Sequence, residues 1–226
     1  ARMDRDTMRR RHAHHRLLDG MEKGEVDVLI GTQMVAKGHH FPEVTVVGVV
    51  SADTPLHIPD FRSTERTFQL ITQVAGRAGR GEVPGEVIVQ TLNPEHYCLQ
   101  KALAYDYIGF FEEELERRRE VFYPPFCRLI NLRLEGNNEK RVLETAKRLK
   151  GVAVKTLEGF RADVQVLGPA PAFLYKLRGR YRWQMMVKGR DVKRLHQMVG
   201  MVLAGFHEKR LSGVDLIVDV DPAITV

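Results

Sequence analysis

Two arginines set between glycines, in Gln73-Val74-Ala75-Gly76-Arg77-Ala78-Gly79-Arg80-Gly81, carry the strongest chemical signal in this 226-residue chain. Arginine stays charged and presents a rigid fork of N–H donors that matches phosphate oxygens. The interleaved glycines let the backbone come close to a ligand or a neighbouring domain. A helix expected over 63–75 would deliver both guanidinium groups to one place, as where one domain completes a nucleotide pocket in another. A solvated Gly/Arg-rich turn would carry the same residues; the segments upstream separate the two.

The first of these is Gly31-Thr32-Gln33-Met34-Val35-Ala36-Lys37-Gly38-His39-His40-Phe41-Pro42. A Thr at the end of an apolar run, followed by a short basic turn and a Gly, suits a loop that meets phosphate. Further along, Phe173-Leu174-Tyr175-Lys176-Leu177-Arg178-Gly179-Arg180-Tyr181-Arg182 sets aromatics among four cations. Aromatic faces stack bases and cations neutralise phosphates, so Lys176, Arg178, Arg180 and Arg182 are expected to contact DNA. The alternative is a solvated hairpin whose basic residues balance the acids around it.

Charge supports a polyanionic partner for the second half. Residues 1–97 hold 12 Lys/Arg against 13 Asp/Glu, and residues 98–226 hold 23 against 16, which accounts for the net charge of +6. No apolar run reaches the ~18 residues needed to cross a bilayer, and the charged N-terminus has no signal-peptide core. A cytoplasmic location and no membrane partner are expected. Cys98 and Cys127 lack a Cys-x-x-Cys partner, so they read as buried small side chains in a reducing compartment. His12, His14 and His15 sit among arginines that would repel a cation, so no metal site is expected.

The elements that must position these residues follow from periodicity. Arg9–Lys23 is helix-compatible and ends near Gly24. Val26–Ile30, Val44–Val50 and Glu86–Thr91 are short apolar runs expected to be strands, the first buried in a parallel sheet. With the helix over 64–75 they predict an α/β domain. The stretch from Glu95 to Arg119 reads as helix, supported by Glu113/Arg117 and Glu114/Arg118 at i,i+4. Tyr123-Pro124-Pro125-Phe126 stops it, and a domain boundary is expected there.

The second half changes pattern. Ile130, Leu132 and Leu134 alternate with polar residues, as in a half-exposed strand, and Glu139–Leu157 follows as an amphipathic helix. Strands are expected at Val164–Gly168, around Trp183–Val187 and at Val214–Val220, with a helix over Asp191–Phe206. The order β-α-β-β-α-β predicts a ferredoxin-like, split βαβ sheet.

Taken together, the segments 31–42 and 73–80 resemble motifs V and VI of superfamily 2 helicases. Pro59-Asp60-Phe61-Arg62-Ser63-Thr64-Glu65-Arg66 and Arg2-Met3-Asp4-Arg5-Asp6-Thr7 narrow the resemblance to the primosomal protein N′ family of replication-restart DNA helicases. Tyr123-Pro124-Pro125-Phe126, Gly168-Pro169-Ala170-Pro171-Ala172 and Tyr181-Arg182-Trp183-Gln184 are similar to that family's C-terminal domain. The resemblance covers essentially the whole chain. It implies a partial RecA-like second helicase lobe over 1–97, a connecting helix over 98–122 and a C-terminal DNA-binding domain over 123–226.

What the resemblance implies for function is an ATP-dependent 3′→5′ DNA helicase of the primosome that recognises stalled forks and restarts replication. Arg80 would be the arginine finger and Arg77 would bind the triphosphate and sense closure of the two lobes. Gln73 would sit at the cleft between the lobes, and Gly38 with His40 would approach the nucleotide sugar. His40 stands where many related helicases carry Asp. Thr32 and Gln33 would contact the DNA phosphate backbone. ATP and Mg2+ would be used by the intact enzyme, and the family also carries zinc. The chain has neither a Gly-x-x-x-x-Gly-Lys-[Ser/Thr] loop nor an Asp-Glu-x-His motif nor paired Cys-x-x-Cys zinc motifs. It is therefore expected to be a C-terminal fragment that does not hydrolyse ATP alone. Expected partners are branched and single-stranded DNA, single-stranded DNA-binding protein and other primosome proteins. A non-catalytic nucleic-acid-binding or scaffold module is the alternative.

Overall fold

The computed structural model describes residues 1–4, 7, 13–32, 44–76, 84–157, 164–208 and 213–224. They divide into two compact units, residues 1–57 with 63–111 and residues 58–62 with 112–226. No described helix is long and apolar enough to cross a membrane.

The first unit is a parallel α/β arrangement in two small pieces. Strand β1 (Arg2–Met3) and, after helix α1 (Ala13–Glu22), strand β2 (Ile30–Gly31) pair in parallel. Strand β3 (Val46–Val49) is followed by α2 (Asp53–Leu56) and α3 (Ser63–Ala75) and pairs in parallel with β4 (Glu86–Val89). Parallel pairing was expected from the apolar runs; burial of the first of them was not met. Val28 and Ile30 are 62% and 67% exposed, and only Ile30 lies in a strand. In β3 and β4 exposure alternates, Val46 and Ile88 facing out while Val49 and Val89 pack inward. A two-stranded ribbon has helices against one face only, so each second side chain has no cover.

That one face forms the core of the unit. Ala52, Phe68 and Ile71 pack on Cys98, Leu99 and Ala102 of helix α4 (Tyr97–Leu103) and on Phe110 of helix α5 (Tyr107–Glu120). Phe68 and Phe110 stack with ring centres 4.1 Å apart. The helical stretch expected between 95 and 119 is thus two helices. Tyr105 adopts a positive φ of 53°, and Asp106 begins α5 by accepting from the Gly109 amide at 2.8 Å while pairing with Lys101 at 2.7 Å. Asp53 ties α2 to the end of β4, its carboxylate accepting from the Thr91 hydroxyl at 2.8 Å and the Leu92 amide at 3.0 Å.

The second unit has the expected order β-α-β-β-α-β. Its elements are β5 (Arg128–Gly136), α6 (Glu139–Leu157), β6 (Val164–Leu177), β7 (Arg180–Gly189), α7 (Val192–Glu208) and β8 (Val214–Val220). The four strands form one antiparallel sheet in the order β6-β7-β5-β8. This is the split βαβ arrangement, in which the two strands joined by each helix are not adjacent in the sheet: β7 lies between β5 and β6, and β5 between β7 and β8. Ile130, Leu132 and Leu134 of β5 meet Met185 and Val187 of β7 under Val142, Ala146 and Leu149 of α6 and Leu195, Met198 and Val202 of α7. Asn138 and Asp191 start the two helices by accepting the amides of Arg141 and of Lys193 and Arg194.

Two details differ from expectation. β5 is more buried than a half-exposed strand, with Leu129 and Asn131 also covered, because it sits between β7 and β8 in the middle of the sheet. β6 does not stop at Gly168 but continues to Leu177. As the edge strand it tolerates Pro169 and Pro171, and its register with β7 shifts on either side of Ala170 and Pro171.

Candidate nucleic-acid interface

The aromatic and basic segment 173–182 is the tip of the β6–β7 hairpin. Leu177 pairs with Arg180 across the two-residue turn Arg178-Gly179, and both turn residues have positive φ, 50° and 80°. This is the type I′ turn, whose twist matches that of the strands it joins. A Cβ on Gly179 would meet nothing within 4 Å, so glycine is required there for its backbone alone.

The four cations of the hairpin separate into two pairs. Lys176 and Arg178 are exposed at the tip. The Lys176 ammonium lies 4.5 Å from the centre of the Tyr181 ring and donates to its hydroxyl at 3.2 Å. Arg180 instead pairs with Asp215 and donates to the Glu135 carbonyl at 3.1 Å. Arg182 is 6% exposed, and its Nε donates to Glu135 Oε1 at 3.0 Å. Arg133 donates to the same oxygen at 2.8 Å, so Glu135 gathers guanidinium groups from two strands. Of the four hairpin residues expected to contact DNA, two present charge at the tip and two brace the sheet beneath it.

Aromatic rings complete the tip. Tyr175 meets Tyr181 edge-on at 5.6 Å and Trp183 at 6.4 Å. Its hydroxyl is hydrogen-bonded to Glu139, which with burial pushes the phenol up to about 12. Phe173 remains half exposed on the edge strand. An exposed ring and two exposed cations, beside a strand edge unpaired among the described residues, can together hold a nucleotide chain by stacking and phosphate contact.

The other end of the same sheet is closed by charge and aromatic stacking. The segment 58–62, which precedes α3 in the chain, belongs to this unit. Phe61 stacks on Tyr123 with ring centres 5.2 Å apart and planes 6° from parallel. The guanidinium groups of Arg62 and Arg118 lie 4.4 Å and 5.3 Å from the Phe61 ring centre. Arg62 also donates to the carbonyls of Pro222 and Ala223 at 2.6 Å and 3.2 Å. Lys188, only 3% exposed, donates to Val121 O at 2.9 Å and lies 4.3 Å from the Tyr123 ring; burial pushes its ammonium below the usual lysine range. A cavity of about 380 Å³ opens here between Phe61, Arg118, Cys127 and Asp221. Burial raises the Cys127 thiol, whose Sγ donates to the Phe122 carbonyl at 3.3 Å.

In the first unit Thr32 follows β2 and is exposed, and Gln73 lies on the exposed side of α3, away from Phe68 and Ile71. Gln33, Gly38, His40, Arg77 and Arg80 lie outside the described residues. Among the described residues no group of three or more His, Cys, Asp or Glu side chains is placed to hold a metal ion. Sequence reasoning missed Glu135, Asp53 and the docking of Phe61. A lone carboxylate in an alternating strand carries no sign that distant arginines converge on it.

The second unit is thus a split βαβ sheet that carries this hairpin at one end. Residues 119–223 match the family described as the primosomal protein N C-terminal domain. Beyond that domain, 98% of the chain aligns with replication restart proteins named PriA, at 44% identity to that of Synechocystis sp. and 42% to that of Bacillus subtilis. The corresponding protein of Thermotoga maritima is 37% identical, again over 98% of the chain. The chain spans about a quarter of the length of these curated relatives, covering 26%, 27% and 28% of them, and corresponds to their C-terminal part.

Proposed function

We propose that the chain works as the C-terminal part of an ATP-dependent 3′→5′ DNA helicase that recognises stalled forks and restarts replication. Its second unit would grip branched or single-stranded DNA, and its first would supply half of a motor lobe with a RecA-like sheet. The observation that carries this reading is the exposed pair Lys176 and Arg178 beside Phe173 and Tyr181, on a domain that matches the primosomal family. Phosphates and unstacked bases are the ligands such a tip fits.

In the motor half, Arg80 is assigned to the charge that develops on the γ-phosphate and Arg77 to the bound triphosphate. Gln73 at the end of α3 and Gly38 with His40 would line the nucleotide side of the cleft. Thr32 and Gln33 would hold the DNA backbone, coupling strand position to the nucleotide state. ATP is the substrate of that motor. Mg2+ and zinc would be held by other parts of the intact enzyme, since among the described residues no three His, Cys, Asp or Glu side chains come together to hold a metal ion. Single-stranded DNA-binding protein and other primosome components are the protein partners this role requires.

The test separates motor from scaffold. In a full-length enzyme carrying this segment, Arg80→Ala should lower DNA-stimulated ATP turnover by about 10³-fold or more while DNA affinity is kept. Unchanged turnover would remove the finger assignment and favour a non-catalytic binding module. The 226-residue chain by itself should show no ATP turnover.

A further inference from the structure

Helix α6 carries most of the chain's surplus charge on one side. Lys140, Arg141, Lys147, Arg148, Lys150 and Lys155 stand against only Glu139 and Glu144, a surplus of four within a chain of net +6. All six cations are exposed, while Val142, Ala146, Leu149 and Ala153 face the core. None of the six forms an ion pair among the described residues. The contrast with the hairpin is sharp, since Arg180 and Arg182 each have a carboxylate within reach.

The spacing makes rows of them. Arg141, Arg148 and Lys155 recur every seven residues, and Lys140 and Lys147 repeat the interval beside them. Seven residues are two helical turns, so each row places a cation every ~10.5 Å and the set spans ~22 Å of a rigid rod. Side chains seven apart drift by only ~20° around the axis, so each row keeps one direction. Cations ~10.5 Å apart can reach the two phosphate backbones that flank a groove ~12 Å wide.

The partner follows from what the face lacks. No Phe, Tyr or Trp lies anywhere on α6, so unpaired bases have nothing to stack on. Among large apolar residues of the helix only Val154 is exposed, which leaves nothing to insert into a membrane. We propose that the solvent face of α6 is a second nucleic-acid surface, which holds the phosphate backbones of a duplex without reading sequence. It lies on the helix layer, whereas the hairpin tip, with its rings, takes single strands. The domain would thereby hold a duplex arm and an unpaired strand on separate surfaces, which is the chemistry of a branch point. This deepens the proposed function and rests on its nucleic-acid reading.

The test uses the full chain and two probes, a blunt 20-base-pair DNA duplex and a 20-nucleotide oligo-dT, titrated between 50 and 200 mM salt. The variant Arg141→Gln/Arg148→Gln/Lys155→Gln should bind the duplex at least tenfold more weakly, with a log–log salt slope smaller by about 2–3, because each lost phosphate contact contributes about 0.9. Its oligo-dT affinity should stay within about twofold, since stacking carries that probe. The charge-keeping variant Arg141→Lys/Arg148→Lys/Lys155→Arg should restore duplex binding, which a merely misfolded protein would not do. Unchanged duplex affinity in the Gln variant, or equal losses on both probes, would overturn the proposal. If the wild-type chain binds oligo-dT but not duplex, the α6 assignment falls and the hairpin reading stands. If it binds neither, both fall.

Discussion

The buried guanidinium of Arg182 donates its Nε–H to Glu135 at 3.0 Å, across 47 residues of sequence. Arg133 and Arg180 approach the same carboxylate, at 2.8 Å and 3.9 Å. Three guanidinium groups around one carboxylate hold β5 against the strand that carries the hairpin. The tip is therefore rigid where it leaves the sheet, and its two outer cations are the ones available to a ligand.

Removing the carboxylate should show this. Glu135→Ala leaves Arg182 buried with no anion and should cost about 2–3 kcal/mol of stability. Trp183 is the single tryptophan and lies in this unit, so its fluorescence in urea follows the loss. A cost below about 0.5 kcal/mol would mean the cluster is a solvated surface pair.

Acid should loosen the first unit through Asp53. The Leu92 amide first, then the Thr91 hydroxyl, hold its carboxyl below the usual carboxylate range. A folded-state pKa below the unfolded one adds stability that is complete above the unfolded value of ~3.9 and disappears as pH falls through the folded value. Asp53→Asn should therefore be clearly less stable than wild type at pH 6, and the gap should narrow toward pH 3. Denaturation followed by circular dichroism at both pH values checks it; a gap that stays constant would contradict the assignment.

Two glycines should respond differently to the same change. A Cβ on Gly136 would lie 2.6 Å from the Gly213 carbonyl oxygen and 2.9 Å from Val142 Cγ2, so Gly136→Ala should cost about 1–3 kcal/mol through overpacking. Gly179→Ala meets open space and should cost only the backbone strain of positive φ, about 1 kcal/mol. A cost in urea below about 1 kcal/mol for Gly136→Ala would contradict the close approach at Gly136.

Much of this was legible in the sequence. Helix α6 has the expected bounds, since an asparagine cap and a regular apolar stripe mark them locally. The order β-α-β-β-α-β followed from alternation and spacing in the same way. What escaped depends on distant partners. β6 runs nine residues past its expected end at Gly168, through Pro169 and Pro171, which only its place at the sheet edge permits. The membership of 58–62 in the second unit depends on Tyr123 and Arg118, which no local pattern connects to Phe61. At the candidate site, aromatics and cations were readable as a set. Which cations face outward was not, because Asp215 and Glu135, 35 and 45 residues away from Arg180, decide it.

The exposed pair at the hairpin tip is the most direct test of the account. Binding of the chain to a forked DNA should be measured across salt concentrations for wild type, Lys176→Ala/Arg178→Ala and Arg180→Ala. The tip variant should bind more weakly, with a log–log slope smaller by about 2, and Arg180→Ala should change the slope by less than about 1 because that charge is already paired. Unchanged affinity and slope in the tip variant would contradict the account and leave the hairpin a solvated turn.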